Sequence, residues 1–144
     1  MIIEIGSRNS IDRKIINTAI IYFRRLYLKY EEWTCFINRV RFNQVHPYLT
    51  IPTSIYLASK VEETITNCNR ILSYFEEVCK IHKIEPIQWT VDDILRCENI
   101  LLEELDYSLL IFQPFRPLRH FLSLFHLEDF LQPCTFPFLF ICNL

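Results

Sequence analysis

The sequence predicts an all-α fold, on three observations. Glycine occurs once in 144 residues, which leaves little material for hairpins and tight turns. Apolar residues recur three and four apart over several long runs, the spacing of one helix face. The breaks between these runs carry proline, asparagine or aspartate, residues that start and stop helices.

Taken in order, residues 1–9 are too short to be a domain. Ser10 reads as an N-cap, with Ile11 and Asp12 in the first turn. From there Ile11, Ile15, Ala19, Phe23, Leu26 and Tyr30 fall on one side of a helix over 10–30. Arg13, Lys14, Arg24, Arg25 and Lys29 fall mostly on the other. Residues 31–46 alternate at Trp33, Cys35 and Ile37 and again at Val40 and Phe42. A short hairpin, an extra helical turn and a loose insert all remain open there. Residues 47–63 are apolar nearly all round and predict a central helix packed on several sides. Pro47 suits its first turn, and Pro52 is expected to kink it.

Residues 64–69 form a polar link in which Asn67 or Asn69 can cap the next helix. That helix, 69–83, places Ile71, Leu72, Phe75, Val78, Cys79 and His82 on one side, and Pro86 breaks it. Thr90-Val91-Asp92-Asp93 fits a capping box, and both aspartates favour the helix dipole. The helix it opens, 90–106, carries the stripe Ile94, Leu101, Leu102 and Leu105 and ends at Asp106-Tyr107. Ser108 to Gln113 is a short apolar crossing. Pro114-Phe115-Arg116-Pro117 starts a helix over 117–126 with a basic side of Arg116, Arg119 and His120. Pro133 and Pro137 bracket the tail.

Composition removes several function classes. Phosphate loops, dinucleotide fingerprints and nucleophile elbows all need glycine where the backbone turns or meets a ligand. The net charge is −2, whereas a nucleic-acid binder carries a basic stripe. Arg24-Arg25 and Arg39-Val40-Arg41 are the densest basic clusters, so no direct nucleic-acid contact is expected. The six cysteines, at 35, 68, 79, 97, 134 and 142, form no C-x-x-C. Cys79 and His82 make a single C-x-x-H without a second half-site, so they read as buried free thiols in a reducing compartment, with no metal. No catalytic set and no cofactor are expected. Met1-Ile2-Ile3-Glu4 lacks the basic start of a signal peptide. No apolar run approaches the roughly 20 residues of a membrane-spanning helix, so no membrane partner is expected.

Two charges break the packing pattern. Lys60 follows Tyr56 and Leu57 at the end of the central helix. Glu98 lies four residues after Ile94 and three before Leu101, inside its own helix's apolar stripe. A buried charge needs a partner. Three arrangements satisfy this: each charge snorkels at the stripe margin, the two form an internal salt bridge, or both rim an apolar surface where a partner helix docks.

These residues belong to stretches that resemble a known family. Leu57-Ala58-Ser59-Lys60-Val61-Glu62-Glu63 is similar to the cyclin-box signature at the end of its third helix. Arg96-Cys97-Glu98-Asn99-Ile100-Leu101-Leu102 resembles the matching part of the fifth. Ile20-Ile21-Tyr22-Phe23-Arg24-Arg25-Leu26-Tyr27 resembles the second helix of C-type cyclins. Phe112-Gln113-Pro114-Phe115-Arg116-Pro117-Leu118 resembles the C-type passage into the second repeat. The resemblance runs over 11–133 with a gap at 31–43. It implies two five-helix repeats that bind a cyclin-dependent kinase and push its regulatory helix inward, completing the kinase's Lys–Glu pair. The chain itself is then not an enzyme. The family's kinase-contacting lysine and glutamate correspond to Lys60 and Glu98, with Tyr56 and Glu63 beside them. The C type implies a place in the nucleus with a Mediator-type kinase, other subunits of the Mediator kinase module, and RNA polymerase II transcription.

The chain departs from the family pattern in three places. The first repeat is expected to lack its first helix, residues 31–43 exceed the family's link, and the second repeat is only begun. The expected organisation is a partial first cyclin box over 10–110 and, over 111–144, the start of a second repeat with a divergent tail. Two alternatives stand beside kinase regulation. One is an inert or partly folded fragment from a mis-spliced gene model. The other is a general transcription factor of similar fold that grips DNA.

Overall fold

The computed structural model describes residues 1–33, 46–84 and 88–126. Six helices and no strand occur among the described residues: α1 (Ile2–Arg8), α2 (Arg13–Trp33), α3 (Pro47–Val61), α4 (Cys68–Ile81), α5 (Val91–Glu104) and α6 (Phe115–Leu124). The chain divides into two compact units after Leu109, the first holding α1 to α5 and the second α6. The alternating residues 34–45, Pro86 and the tail from 127 onward lie outside the described residues.

The all-α expectation holds, and α3 is the central helix. It packs mainly on α2 and α5, and also on α4 and α1. Every residue from Leu49 to Ser59 except Tyr56 is buried, as an apolar-all-round sequence requires. Its buried threonines are satisfied locally. Thr53 Oγ1 donates to the Leu49 carbonyl at 2.7 Å and Thr50 Oγ1 to the His46 carbonyl at 3.3 Å. The His46 side chain caps the helix by accepting from the Tyr48 N–H at 3.2 Å. Pro52 lies inside the helix, where its missing N–H leaves the Tyr48 carbonyl without its usual donor.

The expectation of a first repeat without its first helix is corrected. Ile2–Arg8 form a helix, and it lies against α2, α3 and α4. Seven residues do not hold a helix alone; burial of Ile2, Ile5 and Gly6 holds this one. Gly6 is the chain's single glycine and marks the point of closest approach to α2. A Cβ built on it would lie 2.5 Å from Ile16 Cδ1 and closer still to Cγ1. A second clasp ties α1 to the end of α4. His82 Nε2 lies 2.7 Å from Glu4 Oε2, and Arg8 Nε lies 3.3 Å from Glu4 Oε1. The His82 hydrogen bond, helped by the charges of His82 and Arg8, holds the Glu4 carboxyl below its usual range against the opposing effect of burial. His82 therefore leaves the α4 core stripe in which its spacing placed it.

Other local expectations shift for physical reasons. Ser10 does not cap α2. It follows α1 in the left-handed region, φ 52°, and Asp12 Oδ1 instead accepts from the Lys14 N–H at 3.0 Å. The buried face of α2 runs through Ile15, Ala19, Tyr22 and Leu26, so Tyr22 rather than Phe23 takes the core position. The Thr90–Asp93 capping box is present with both bonds. α6 begins two residues earlier than expected because Pro114 takes the cap position, which leaves Pro117 in the first turn, where a missing N–H costs nothing.

One glycine cannot serve every helix end, and the structure shows what replaces it. Ser10, Glu63, Lys83, Asp106 and His126 each adopt positive φ just past α1, α3, α4, α5 and α6. Four of these ends close with the six-residue bond of a Schellman motif: Ile11 N–H to the Gly6 carbonyl, Thr64 to Ser59, Ile84 to Cys79 and Tyr107 to Leu102. A side chain in this conformation costs about 1 kcal/mol relative to glycine. Lys83→Gly, at an exposed end away from the candidate site, is therefore expected to raise stability by about 0.5–1 kcal/mol. Urea unfolding midpoints measure this, and an unchanged or lowered midpoint would count against it.

Candidate functional site

The site lies where the last turn of α3 meets the middle of α5. Glu98 belongs to the buried face of α5, with Ile94, Cys97 and Leu101, and is only 6% exposed. Lys60 extends from α3 and donates to both of its oxygens, at 2.8 Å each. The Lys60 side chain keeps 38% of its surface in solvent. Tyr56, one turn earlier, places its ring centroid 4.4 Å from Lys60 Nζ, a cation–π distance. Lys60 and Glu98 thus form a salt bridge, at an edge that water still reaches.

The electrostatics come from this geometry. Burial draws Lys60 toward its neutral form, but the hydrogen bonds and charge of Glu98, helped by Tyr56, outweigh it and raise its pKa. Lys60 therefore remains an ammonium. Cys68 lies in the first turn of α4 with a buried, free thiol. Burial and then the Glu98 charge push this thiol up, with Lys60 opposing. Burial likewise pushes Cys97 and Cys79 up, so these three thiols are packing groups rather than nucleophiles. Among the described residues no three His, Cys, Asp or Glu side chains converge as metal ligands.

Adjacent glutamates at the end of α3 have different surroundings. Glu62 Oε1 accepts from Thr18 Oγ1 of α2 at 2.7 Å. The buried Tyr22 hydroxyl is pushed up to about 12, first by burial and then by the Glu62 charge. Glu63 is exposed on a left-handed residue, φ 57°. Its N–H donates to the Lys60 carbonyl at 3.2 Å, but among the described residues its side chain makes no hydrogen bond or ion pair with Lys60 or Glu98. The structure thus brings together Lys60, Glu98 and Tyr56, and leaves Glu63 on the rim. Sequence reasoning missed the Thr18–Glu62 tie, which joins residues 44 positions apart and has no local signature. It also missed Ile65, 77% exposed on the turn after Glu63; an isoleucine within a polar link was the available signal. Ser59 Oγ donates to the Tyr56 carbonyl at 2.7 Å and accepts from the Thr66 N–H at 3.4 Å, which ties this turn to α3.

Comparison with known proteins bears on the whole first unit. The cyclin N-terminal domain family matches residues 1–110, a span that includes α1. The chain is 33% identical to Cyclin-C1-1 of Oryza sativa over 129 residues, which are 90% of this chain and 46% of that protein. It is 30% identical to Cyclin-C of Rattus norvegicus over 134 residues, 90% of this chain and 45% of the relative. Against Cyclin-C of Drosophila melanogaster it is 34% identical over 120 residues, 79% and 41% respectively. The chain thus spans less than half the length of these curated relatives. With five helices among the described residues of the first unit, a Lys60–Glu98 pair joining α3 and α5, and these matches, the chain belongs to the cyclin family and, within it, to the C type.

Proposed function

We propose that this chain is a regulatory subunit that binds and activates a cyclin-dependent kinase of the Mediator type, with the Lys60–Glu98 edge as its docking surface. The observation that carries this reading is the 2.8 Å pair itself. The two residues that the family resemblance assigns to kinase contact are held together at a half-open edge, with Tyr56 against them. A paired lysine keeps a spare N–H, and its carboxylate keeps spare lone pairs, so the pair can bond a partner's backbone without first being ordered. Glu63 and Ile65 flank the edge with a charge and an apolar side chain, the makeup of an interface rim and anchor. In this reading the chain works in the nucleus with other subunits of the Mediator kinase module, acts on RNA polymerase II transcription and performs no chemistry of its own.

The test is co-purification of the 144-residue chain with a Mediator-type kinase, together with binding titrations of variants. Lys60→Ala and Glu98→Ala are each expected to weaken binding about tenfold or more, as central contacts do. Thermal melts must show that the variants are folded. Wild-type affinity in folded variants would remove the docking role.

A further inference from the structure

The turn after α5, through which the chain leaves the first unit, combines three features that play no part in the docking edge proposed above. Asp106 and Tyr107 are consecutive non-glycine residues at φ 51° and 54°, each in a region that side chains disfavour. The next two carbonyls are held by α2: Arg25 donates to the Ser108 carbonyl at 3.0 Å, and the Tyr22 hydroxyl to the Leu109 carbonyl at 2.7 Å. The boundary between the two compact units falls directly after Leu109. Tyr107 is 67% exposed, so its own packing does little to hold the conformation. A single left-handed residue is enough to end a helix, as at Lys83 and His126. The second one here is held in place by the tethered carbonyls of Ser108 and Leu109.

We propose that residues 106–109 are a two-state latch: a strained exit turn held closed by Tyr22 and Arg25 of α2. In the closed state the turn's amides are bonded in sequence. The Tyr107 N–H goes to the Leu102 carbonyl, Ser108 to Leu105 and Leu109 to Tyr107. When the two α2 bonds open, relaxation of the left-handed pair favours release, and the segment swings free of α2. Latch and strain oppose one another. Residues of this kind persist only where their surroundings over-determine them, and they cluster at switch regions. Because Tyr22 and Arg25 lie on the long helix that packs most heavily on α3, the exit of the chain is coupled to the body of the first unit.

Amide hydrogen exchange of the full chain tests this at Tyr107, Ser108 and Leu109. Tyr22→Phe removes only the hydroxyl bond, and Arg25→Met keeps the stem while removing the guanidinium. Each is expected to speed exchange at these three amides several-fold, and the pair together more than tenfold, while amides in the middle of α3 keep wild-type rates. Tyr107→Gly relieves the strain and is expected to slow the same amides several-fold. Opposite signs are the mark of a latch working against strain; plain loss of packing would speed exchange in every variant. If Tyr22→Phe lowers protection throughout the unit, Arg25→Met, at an exposed position, decides alone. Unchanged exchange at 107–109 in folded Arg25→Met, or faster exchange in Tyr107→Gly, would overturn the proposal.

Discussion

Lys60→Ala is expected to destabilise the chain by about 2 kcal/mol, whereas Glu98→Ala costs about 1 kcal/mol, although lysine is the more exposed partner. The asymmetry comes from which charge is left behind. Glu98 is 6% exposed, and without Lys60 its carboxylate sits on the buried face of α5 with Ile94, Cys97 and Leu101, with no other cation in bonding range among the described residues. Removing one member of a fully desolvated pair costs roughly 3–5 kcal/mol. Solvent access to the Lys60 side, 38% of its surface, cuts that figure by about half. In the reverse variant the lysine keeps a flexible stem and turns its ammonium into water, so only the hydrogen bonds and some packing are lost. Lys60→Met with Glu98→Leu removes both charges and keeps the volume. Its stability is expected within about 1 kcal/mol of wild type. Urea unfolding of the four proteins measures this, and equal losses in the two single variants would contradict the assigned geometry. The apolar double variant also separates folding from docking: it should fold as wild type does and still bind kinase weakly.

This pair was legible in the sequence because it violated a pattern. Glu98 stood in an apolar stripe and Lys60 closed an apolar helix, so each announced a missing partner. The longer helices were legible for the same reason in reverse, since several turns of consistent spacing leave little choice of face. What escaped was short or non-local. α1 has fewer than two full turns, too few to establish a period, and its stability comes from neighbours far along the chain. Tyr22 and Phe23 are adjacent apolar aromatics, and periodicity cannot choose between positions only 100° apart when either continues the stripe. The helix ends were hidden because their usual marker is glycine, and five left-handed positions here carry serine, glutamate, lysine, aspartate or histidine instead. His82 had the spacing of a core residue but found a carboxylate on α1, a contact no local rule predicts. The cyclin resemblance supplied the roles proposed for the residues at the Lys60–Glu98 edge. Packing reasoning supplied the physical grounds for singling out the same two charges.

Gly6→Ala is expected to lower stability by about 1–2 kcal/mol, even though alanine is the better helix former by roughly 1 kcal/mol. The added methyl meets Ile16 Cδ1 at 2.5 Å, far inside van der Waals contact. Ile16 cannot readily step aside. It is β-branched and lies on a helix, where one χ1 rotamer dominates, and the contact involves Cγ1 as well as the mobile Cδ1. The strain is therefore relieved by lifting α1, which also unseats Ile2 and Ile5 and pulls on the Glu4–His82 clasp. Truncating the opposing side chain makes room. Ile16→Ala alone is destabilising, but with Gly6→Ala it should cost at least about 1 kcal/mol less than the sum of the two single changes, the coupling expected of residues in contact. Unfolding free energies of the four proteins complete the cycle, and strict additivity would show that α1 does not pack on α2 through Gly6. Exchange at the Asn9 and Ile11 amides, which bond to the Ile5 and Gly6 carbonyls, gives a second readout. These amides should lose protection in Gly6→Ala before the α3 core does, because α1 is the element whose hold on the unit depends on that single close approach.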